Sequence, residues 1–168
     1  KIPREIFIPE NFRNQAYENI ALPIGNDQTI SQPYIVALMT EAMELKGNEI
    51  ILEIGTGSGY QTSVLSLLSR RVYSIERIKP LLVNALLCFK KLKLTNIVCE
   101  HGDGFLGWPK LAPFDHLIIT CAIKKIDDRL LNQVRYNGIC IAPVVTSTKR
   151  QRLKKIIIKD TRDEDVWE

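Results

Sequence analysis

The sequence predicts an α/β fold built on a doubly wound, mostly parallel sheet, and three observations predict it. From residue 33 onward, short apolar runs of strand length alternate with helix-period segments. The first such run, 49–54 (EIILEI), stops at a glycine cluster, Gly55-Thr-Gly-Ser-Gly59, as a strand covered on both faces does. The 168 residues are 45% hydrophobic and 25% charged, an ordinary globular balance with enough chain for one core without disulfides or metals.

The elements follow in order. Residues 1–32 carry Pro3, Pro9, Pro23 and Gly25 and hold no period, so irregular structure with one short helix is expected. Residues 33–46 set Ile35, Leu38, Met39 and Ala42 on one helical face, with Ser31 as candidate N-cap and Gly47 as candidate stop. A helix is expected at 60–69, a strand at 71–76 (RVYSIE), and a helix from Pro80 to Leu92, with proline tolerated in its first turn. Strands are expected at 96–100, 114–120, 139–145 and 153–159, and a helix at 127–135. No repeat or linker interrupts the pattern, so 1–168 is expected to form one domain, with 1–32 an irregular N-terminal segment and 33–168 the α/β core. In such sheets ligands bind beyond the carboxyl ends of the strands, which directs attention to the loops after the first, second and fourth strands.

No apolar run approaches the ~20 residues that span a bilayer. No basic start leads into a long apolar stretch, so no signal peptide is visible, although the chain begins at Lys1 and not Met. The net charge of +4 is mild and does not indicate a nucleic-acid partner. A basic run (Lys149, Arg150, Arg152, Lys154, Lys155, Lys159) precedes an acidic one (Asp160, Asp163, Glu164, Asp165, Glu168), the pattern of a solvated strand edge and tail. Cys88, Cys99, Cys121 and Cys140 form no C-x-x-C pair and sit in apolar stretches. They are expected to be core thiols of a reducing, cytoplasmic compartment, and no metal site is expected.

The glycine loop carries the sharpest chemistry. Its glycines permit a tight turn and close approach of a ligand, and the following helix offers backbone N–H groups. Its spacing is G-x-G-x-G behind an acidic Glu53, neither the dinucleotide G-x-G-x-x-G nor a phosphate loop ending in G-K-[ST]. Glu76 ends the next strand, placed to accept from ribose hydroxyls. Gly102-Asp103-Gly104 follows the third strand, where an acidic loop suits an exocyclic amine.

This combination resembles the class I S-adenosylmethionine (SAM)-dependent methyltransferases, which have a Rossmann-like fold. The resemblance implies that Glu53, Gly55, Thr56, Gly57 and Gly59 form the first donor-binding motif. It implies that Glu76 holds the ribose and Gly102, Asp103 and Gly104 the adenine, with S-adenosylhomocysteine as product. More narrowly, Ile2-Pro-Arg-Glu-Ile-Phe-Ile-Pro9, Ala16-Tyr17, Leu22-Pro-Ile-Gly25 and Gln28-Thr-Ile-Ser-Gln-Pro-Tyr34 resemble the protein-L-isoaspartate O-methyltransferases. So do the stretches 53–60, 72–77, 102–109 with its Gly-Trp-Pro, 113–115 and 130–138.

That family implies repair: methylation of the misplaced α-carboxylate of an isoaspartyl residue in a damaged protein, followed by spontaneous closure to a succinimide. Ser31 matches the family's active-site serine and is expected to orient the substrate carboxylate. Gln28, Thr29 and Ile30 belong to a loop over the donor, and Gln133 matches a position near it. His101 and His116 are expected to be structural; Phe105 and Trp108 wall the adenine or pack in the core. Isoaspartyl peptides and proteins are the implied partners of a monomer that needs no membrane. The family usually extends further upstream and carries another strand after the region of Trp167, so the chain looks short for it. Two residues depart from the pattern. Asp27 stands where the loop usually has its second glycine, and adds negative charge near an anionic substrate; Asn137-Gly138 replaces Gly-Gly. Rival readings are a methyltransferase of tRNA, a SAM-binding protein without catalysis and, disfavoured by glycine spacing, an NAD-dependent dehydrogenase.

Overall fold

The computed structural model describes residues 1–148, 150–159 and 163–167. Its N-terminal segment contains two 3-10 turns, Arg4–Phe7 and Glu10–Gln15, then a hairpin of β1 (Leu22–Gly25) and β2 (Gln28–Ile30). Helix α1 (Pro33–Ala42) leads into β3 (Ile50–Ile54), α2 (Tyr60–Ser66), β4 (Arg71–Glu76), α3 (Lys79–Lys91) and β5 (Ile97–His101). The chain then returns across β3 to form β6 (Phe114–Ile119), followed by α4 (Asp128–Leu131), β7 (Val134–Val145), β8 (Gln151–Ile157) and β9 (Asp163–Trp167). The seven-stranded order is β5-β4-β3-β6-β7-β8-β9. The first five of these are parallel, β8 pairs antiparallel with β7, and β9 pairs antiparallel with β8. Strand order reverses between β3 and β6, so the crevice at their carboxyl ends is the topological switch point.

The core explains why β3 is apolar apart from Glu53. Ile51 packs against Met39 and Met43 beneath α1 and Leu65 of α2, while Leu52 faces Phe114, Leu117 and Leu130 on the other side. Both are fully buried. Each such side chain contributes roughly 1.5–3 kcal/mol, well above the propensity differences of a short run. A third cluster seats Phe7, Ile8 and the hairpin residues Leu22 and Ile30 against Ala85 and Phe89 of α3, so the N-terminal segment is packed onto the domain near the crevice.

Several expectations need correction. The segment before residue 33 holds a hairpin as well as helical turns, with Asn26 (φ 52°) and Asp27 (φ 56°) at its two-residue turn. Two consecutive positive-φ residues make the turn that matches the natural strand twist. Ser31 is not the cap of α1: Gln32 occupies that position, without a side-chain capping bond, and Pro33 begins the helix. Gly47 does not stop α1, which ends at Ala42; Glu44 takes the left-handed conformation (φ 53°). The Glu49 carboxylate then accepts from the Lys46 and Gly47 amides and fixes the following turn.

The helix expected at 127–135 is a single turn, because Val134 enters β7 opposite Phe114 and Phe114 N–H donates to Gln133 O. Around Asn137 (φ 61°) β7 bulges, and a Cβ on Gly138 would stand 2.4 Å from Asp115 O. The acidic run at 163–165 is part of edge strand β9 and not a free tail. Lys149, Asp160 and Glu168 lie outside the described residues. Of the four cysteines only Cys140 is fully buried; Cys88 and Cys99 are half-buried and Cys121 is exposed.

Candidate functional site

A cavity of about 390 Å³ opens at the switch point. The ends of β3, β4 and β6 form its floor, the β1–β2 hairpin and start of α1 one wall, and the 103–105 loop another. Among the residues singled out from sequence, it brings together Thr29, Ile30, Ser31, Gly55, Thr56, Gly57, Glu76, Asp103 and Gly104. Gln28, Asp27, Tyr60, Phe105, Thr120 and Cys121 also line it.

The glycine turn is held by internal bonds. Gly55 N–H donates to Ile75 O, Gly57 N–H to Glu76 Oε2 at 2.8 Å, and Gly59 N–H to Thr56 O. Thr120 Oγ1 bonds both Ile54 O and Gly55 O, and a Cβ on Gly55 (φ 97°) would stand 2.6 Å from that hydroxyl oxygen. Here the glycine is required by both backbone conformation and space. These three glycine amides are committed to internal bonds and are not open to an anion.

Glu76 is 5% exposed, and its second oxygen accepts from Ile78 N–H at 2.8 Å. A carboxylate has about four acceptor sites, so the rim of Glu76 keeps capacity for ligand hydroxyls. Asp103 Oδ1 accepts from Phe105 N–H and caps a 3-10 turn. A Cβ on Gly104 would lie 2.3 Å from Ile54 Cγ2, so this loop comes down on the end of β3 only with glycine there. Charged residues on the cavity wall are Asp27, Glu76, Asp103 and Arg77, an acidic balance.

Four residues expected to touch a donor do not line the cavity. Glu53 is fully buried behind the glycine turn, where Oε2 accepts from Thr62 Oγ1 at 2.5 Å and Ser74 Oγ at 2.6 Å. Ser74 in turn contacts Thr56 Oγ1 at 2.6 Å, so Glu53 supports the turn from beneath. Its Oε1 has no partner, and burial pushes its carboxyl up to about 7 against those two hydroxyl bonds. Gly59 (φ 86°) starts α2 where a Cβ would meet the Phe89 ring at 2.7 Å. Gly102 N–H bonds Glu76 O below the rim. Gln133 ties the 106–108 loop down: its Oε1 accepts from Trp108 N–H, and its Nε2 donates to Leu106 O and Arg129 O.

Trp108 stacks edge-on against Tyr73 in the core, whereas Phe105 lines the cavity together with Tyr60. His101 and His116 both contact backbone groups, at Arg77 O and Ile139 N–H. Although Cys121 is exposed at the cavity, the surrounding wall desolvates its sulfur and raises the thiol, which therefore is not an activated nucleophile. Among the described residues, no cluster of three His, Cys, Asp or Glu side chains is placed to hold a metal ion.

One residue escaped attention in the sequence. Arg4 is 0% exposed. Its Nε donates to Ala16 O and its Nη2 to Ser31 O, both at 2.7 Å, and its guanidinium lies 4.9 Å from the centre of the Tyr60 ring. Its burial lowers its proton affinity. The Ser31 side-chain hydroxyl makes no hydrogen bond among the described residues, so its only constraint is through its backbone.

A parallel sheet reversing at β3/β6, with a glycine turn and acidic strand end at the crevice, defines the class I methyltransferase fold. Within that fold, the family model of protein-L-isoaspartate(D-aspartate) O-methyltransferase matches residues 1–166, and the chain belongs to that family. A Dictyoglomus turgidum protein-L-isoaspartate O-methyltransferase is 51% identical over 144 residues, 86% of this chain and 66% of the relative. One from Parvibaculum lavamentivorans is 48% identical over 163 residues, 97% of this chain and 73% of the relative. A solved protein-L-isoaspartate O-methyltransferase superposes with TM-score 0.88 at 27% identity, covering 99% of this chain and 56% of that one. A Plasmodium falciparum chain assigned to the same enzyme, crystallised with S-adenosyl-L-homocysteine, gives TM-score 0.85 at 24% identity over 99% of this chain and 82% of its own. The chain thus spans just under two thirds of the length of the Dictyoglomus relative.

Proposed function

We propose that this chain binds SAM in the switch-point cavity and transfers its methyl group to the α-carboxylate of L-isoaspartyl residues in damaged proteins. The observation that carries the reading is one cavity lined both by the glycine turn with Glu76 and by the loop bearing the free Ser31 hydroxyl. Family membership agrees with it.

The residues fit the donor. A volume of about 390 Å³ falls in the range of small-ligand sites. The committed amides of Gly55, Gly57 and Gly59 disfavour a pyrophosphate, which argues against a dinucleotide. Three wall carboxylates against one arginine favour a ligand carrying sulfonium and ammonium charge. Glu76 would hold the ribose and Asp103 the adenine amine, with Thr29, Ile30, Thr56 and Phe105 closing around them. When bound, the donor supplies a methyl group on an activated sulfonium.

The chain's own residues have only positioning to do. A carboxylate acceptor is already ionised near neutral pH, so no general base is needed. Ser31 Oγ donates to one carboxylate oxygen and aims the other, an orientation effect that is large when the geometry is close to in-line. The hairpin and α1 keep water from the reacting atoms. Residues 1–32 form the acceptor-side segment, from which Thr29 and Ile30 also reach the donor, and 33–168 form the donor-binding core. Among the described residues no helix is long and apolar enough to cross a membrane.

A nucleic-acid substrate is disfavoured by the basic run. Lys155 is 7% exposed and paired with Glu44, and Arg152, Lys154 and Lys159 also have partners. The test offers the purified chain radiolabelled SAM with an isoaspartyl peptide, its aspartyl twin and tRNA. Label on the isoaspartyl peptide alone is expected. Donor binding without transfer to any acceptor would sink the enzyme reading and leave a SAM-binding protein.

A further inference from the structure

The buried guanidinium of Arg4 is a cation without a counter-ion. Among the described residues no carboxylate pairs with it, and Nη1 has no hydrogen-bond partner at all. A buried unpaired charge is costly, and an arginine offers five donors of which Nη1 carries two. Apolar contacts alone would anchor this segment, since Phe7 and Ile8 already pack against Ala85 and Phe89. Arg4 therefore adds something that anchoring does not require. Three separate segments converge on it: Ala16 O after the second 3-10 turn, Ser31 O before α1, and the Tyr60 ring at the start of α2. Two of those three, Ser31 and Tyr60, line the cavity. Its main-chain N–H is held as well, by Tyr17 Oη, which donates onward to Glu5.

We propose that Arg4 is a positioning residue for the methyl acceptor: it fixes the Ser31 backbone and places an uncompensated positive charge beneath the site where the acceptor carboxylate binds. This rests on the methyl-transfer reading above and extends it to a residue that touches neither donor nor acceptor. The Nη2–Ser31 O bond holds the buried charge against the main chain of the residue that carries the hydroxyl, and a charge held out of water acts more strongly on its surroundings. The acceptor carboxylate still carries much of its negative charge in the transition state, so the Arg4 charge acts on bound substrate and transition state nearly alike. Its signature is accordingly a change in KM with little change in kcat.

The test uses the full chain with Arg4→Met, which keeps side-chain bulk without charge, and Arg4→Lys, which keeps charge but reaches only one carbonyl. Arg4→Met is expected to raise KM for an isoaspartyl peptide about tenfold, with kcat and S-adenosylhomocysteine affinity within about twofold of the parent. Arg4→Lys recovers part of the KM loss. An unchanged KM in both variants overturns the proposal, and so does a parallel loss of S-adenosylhomocysteine affinity, which marks a merely structural role. If Arg4→Met does not fold, Arg4→Lys decides by the same two readouts. If the parent chain itself turns over no isoaspartyl peptide, the methyl-transfer reading fails, and amide exchange over residues 28–32 judges Arg4 instead. Faster exchange there in Arg4→Lys supports the positioning role; unchanged exchange overturns it.

Discussion

The Gly57 amide donates to Glu76 Oε2 across 2.8 Å, tying the turn after β3 to the end of β4. Glu76 thus does two things at once: it fixes the glycine turn and presents its remaining lone pairs to the cavity. Glu76→Gln keeps one acceptor oxygen but turns an amide toward Gly57 or Ile78 N–H, donor against donor. S-adenosylhomocysteine affinity, read by calorimetry, is expected to fall about 10- to 100-fold, the range of a lost charge-assisted bond. An affinity within twofold of the parent would show that Glu76 is a loop anchor alone.

Ser31→Ala separates acceptor from donor. The Ser31 carbonyl, not its hydroxyl, is what Arg4 holds, so the substitution leaves the loop's anchor intact. It is expected to lower kcat/KM for an isoaspartyl peptide by about 10- to 100-fold with S-adenosylhomocysteine affinity unchanged. Full activity in this variant removes Ser31 from the mechanism.

The central strands were legible because burial on both faces leaves an apolar run, and the glycine turn punctuates it. Other features were hidden for physical reasons. Leu130, Leu131 and Val134 suit a helical stripe, but Val134 is claimed by pairing with Phe114, a tertiary choice that local pattern does not carry. The hairpin was masked by the prolines around it, although Asn26-Asp27 is a pair that tolerates positive φ. Glu53 shows a missed inference. Strand alternation puts it on the face of Ile51, toward α2, so its burial beneath the turn was readable from period two. Arg4 lies inside the family-like stretch Ile2–Pro9, but its burial was not readable, because nothing in a short aperiodic segment distinguishes a buried arginine from a solvated one.

Glu53 also gives stability a pH dependence. Burial raises its carboxyl from 4.5 to about 7, so the folded state holds a proton that the unfolded chain releases. Its contribution is fully present below pH 4.5 and is lost as pH rises through about 7. The span of that shift corresponds to roughly 3 kcal/mol at most. His116 acts oppositely: burial lowers its affinity for a proton, so its contribution is lost as pH falls. Comparing denaturant midpoints of the parent and Glu53→Gln from pH 5 to 8 isolates the Glu53 part. The variant should be less stable at pH 5, because its amide lacks an acceptor where Oε1 now lies unpartnered, and the gap should narrow toward pH 8. A gap that does not change with pH would mean that Glu53 is ionised throughout.

Asp27 is the departure from the family pattern that the structure explains best. It sits at φ 56° in a two-residue hairpin turn, beside Asn26 at φ 52°. A left-handed residue with a side chain costs about 1 kcal/mol relative to glycine, less for Asp than for most. The turn therefore forms with Asp27 in place, and the backbone cost is small. The charge matters more: Asp27 lines the same cavity as Ser31, where the proposed acceptor is an anion. Asp27→Gly is expected to leave stability within about 1 kcal/mol of the parent, since strain relieved in the fold is offset by extra freedom in the unfolded chain. Over the same change KM for an isoaspartyl peptide should fall about threefold or more, and Asp27→Asn should reproduce most of that fall. The fall should shrink in high salt, because Asp27 is exposed and its field is screened. Equal KM for Asp27→Asn and the parent at low salt would assign any effect of Asp27→Gly to the backbone instead.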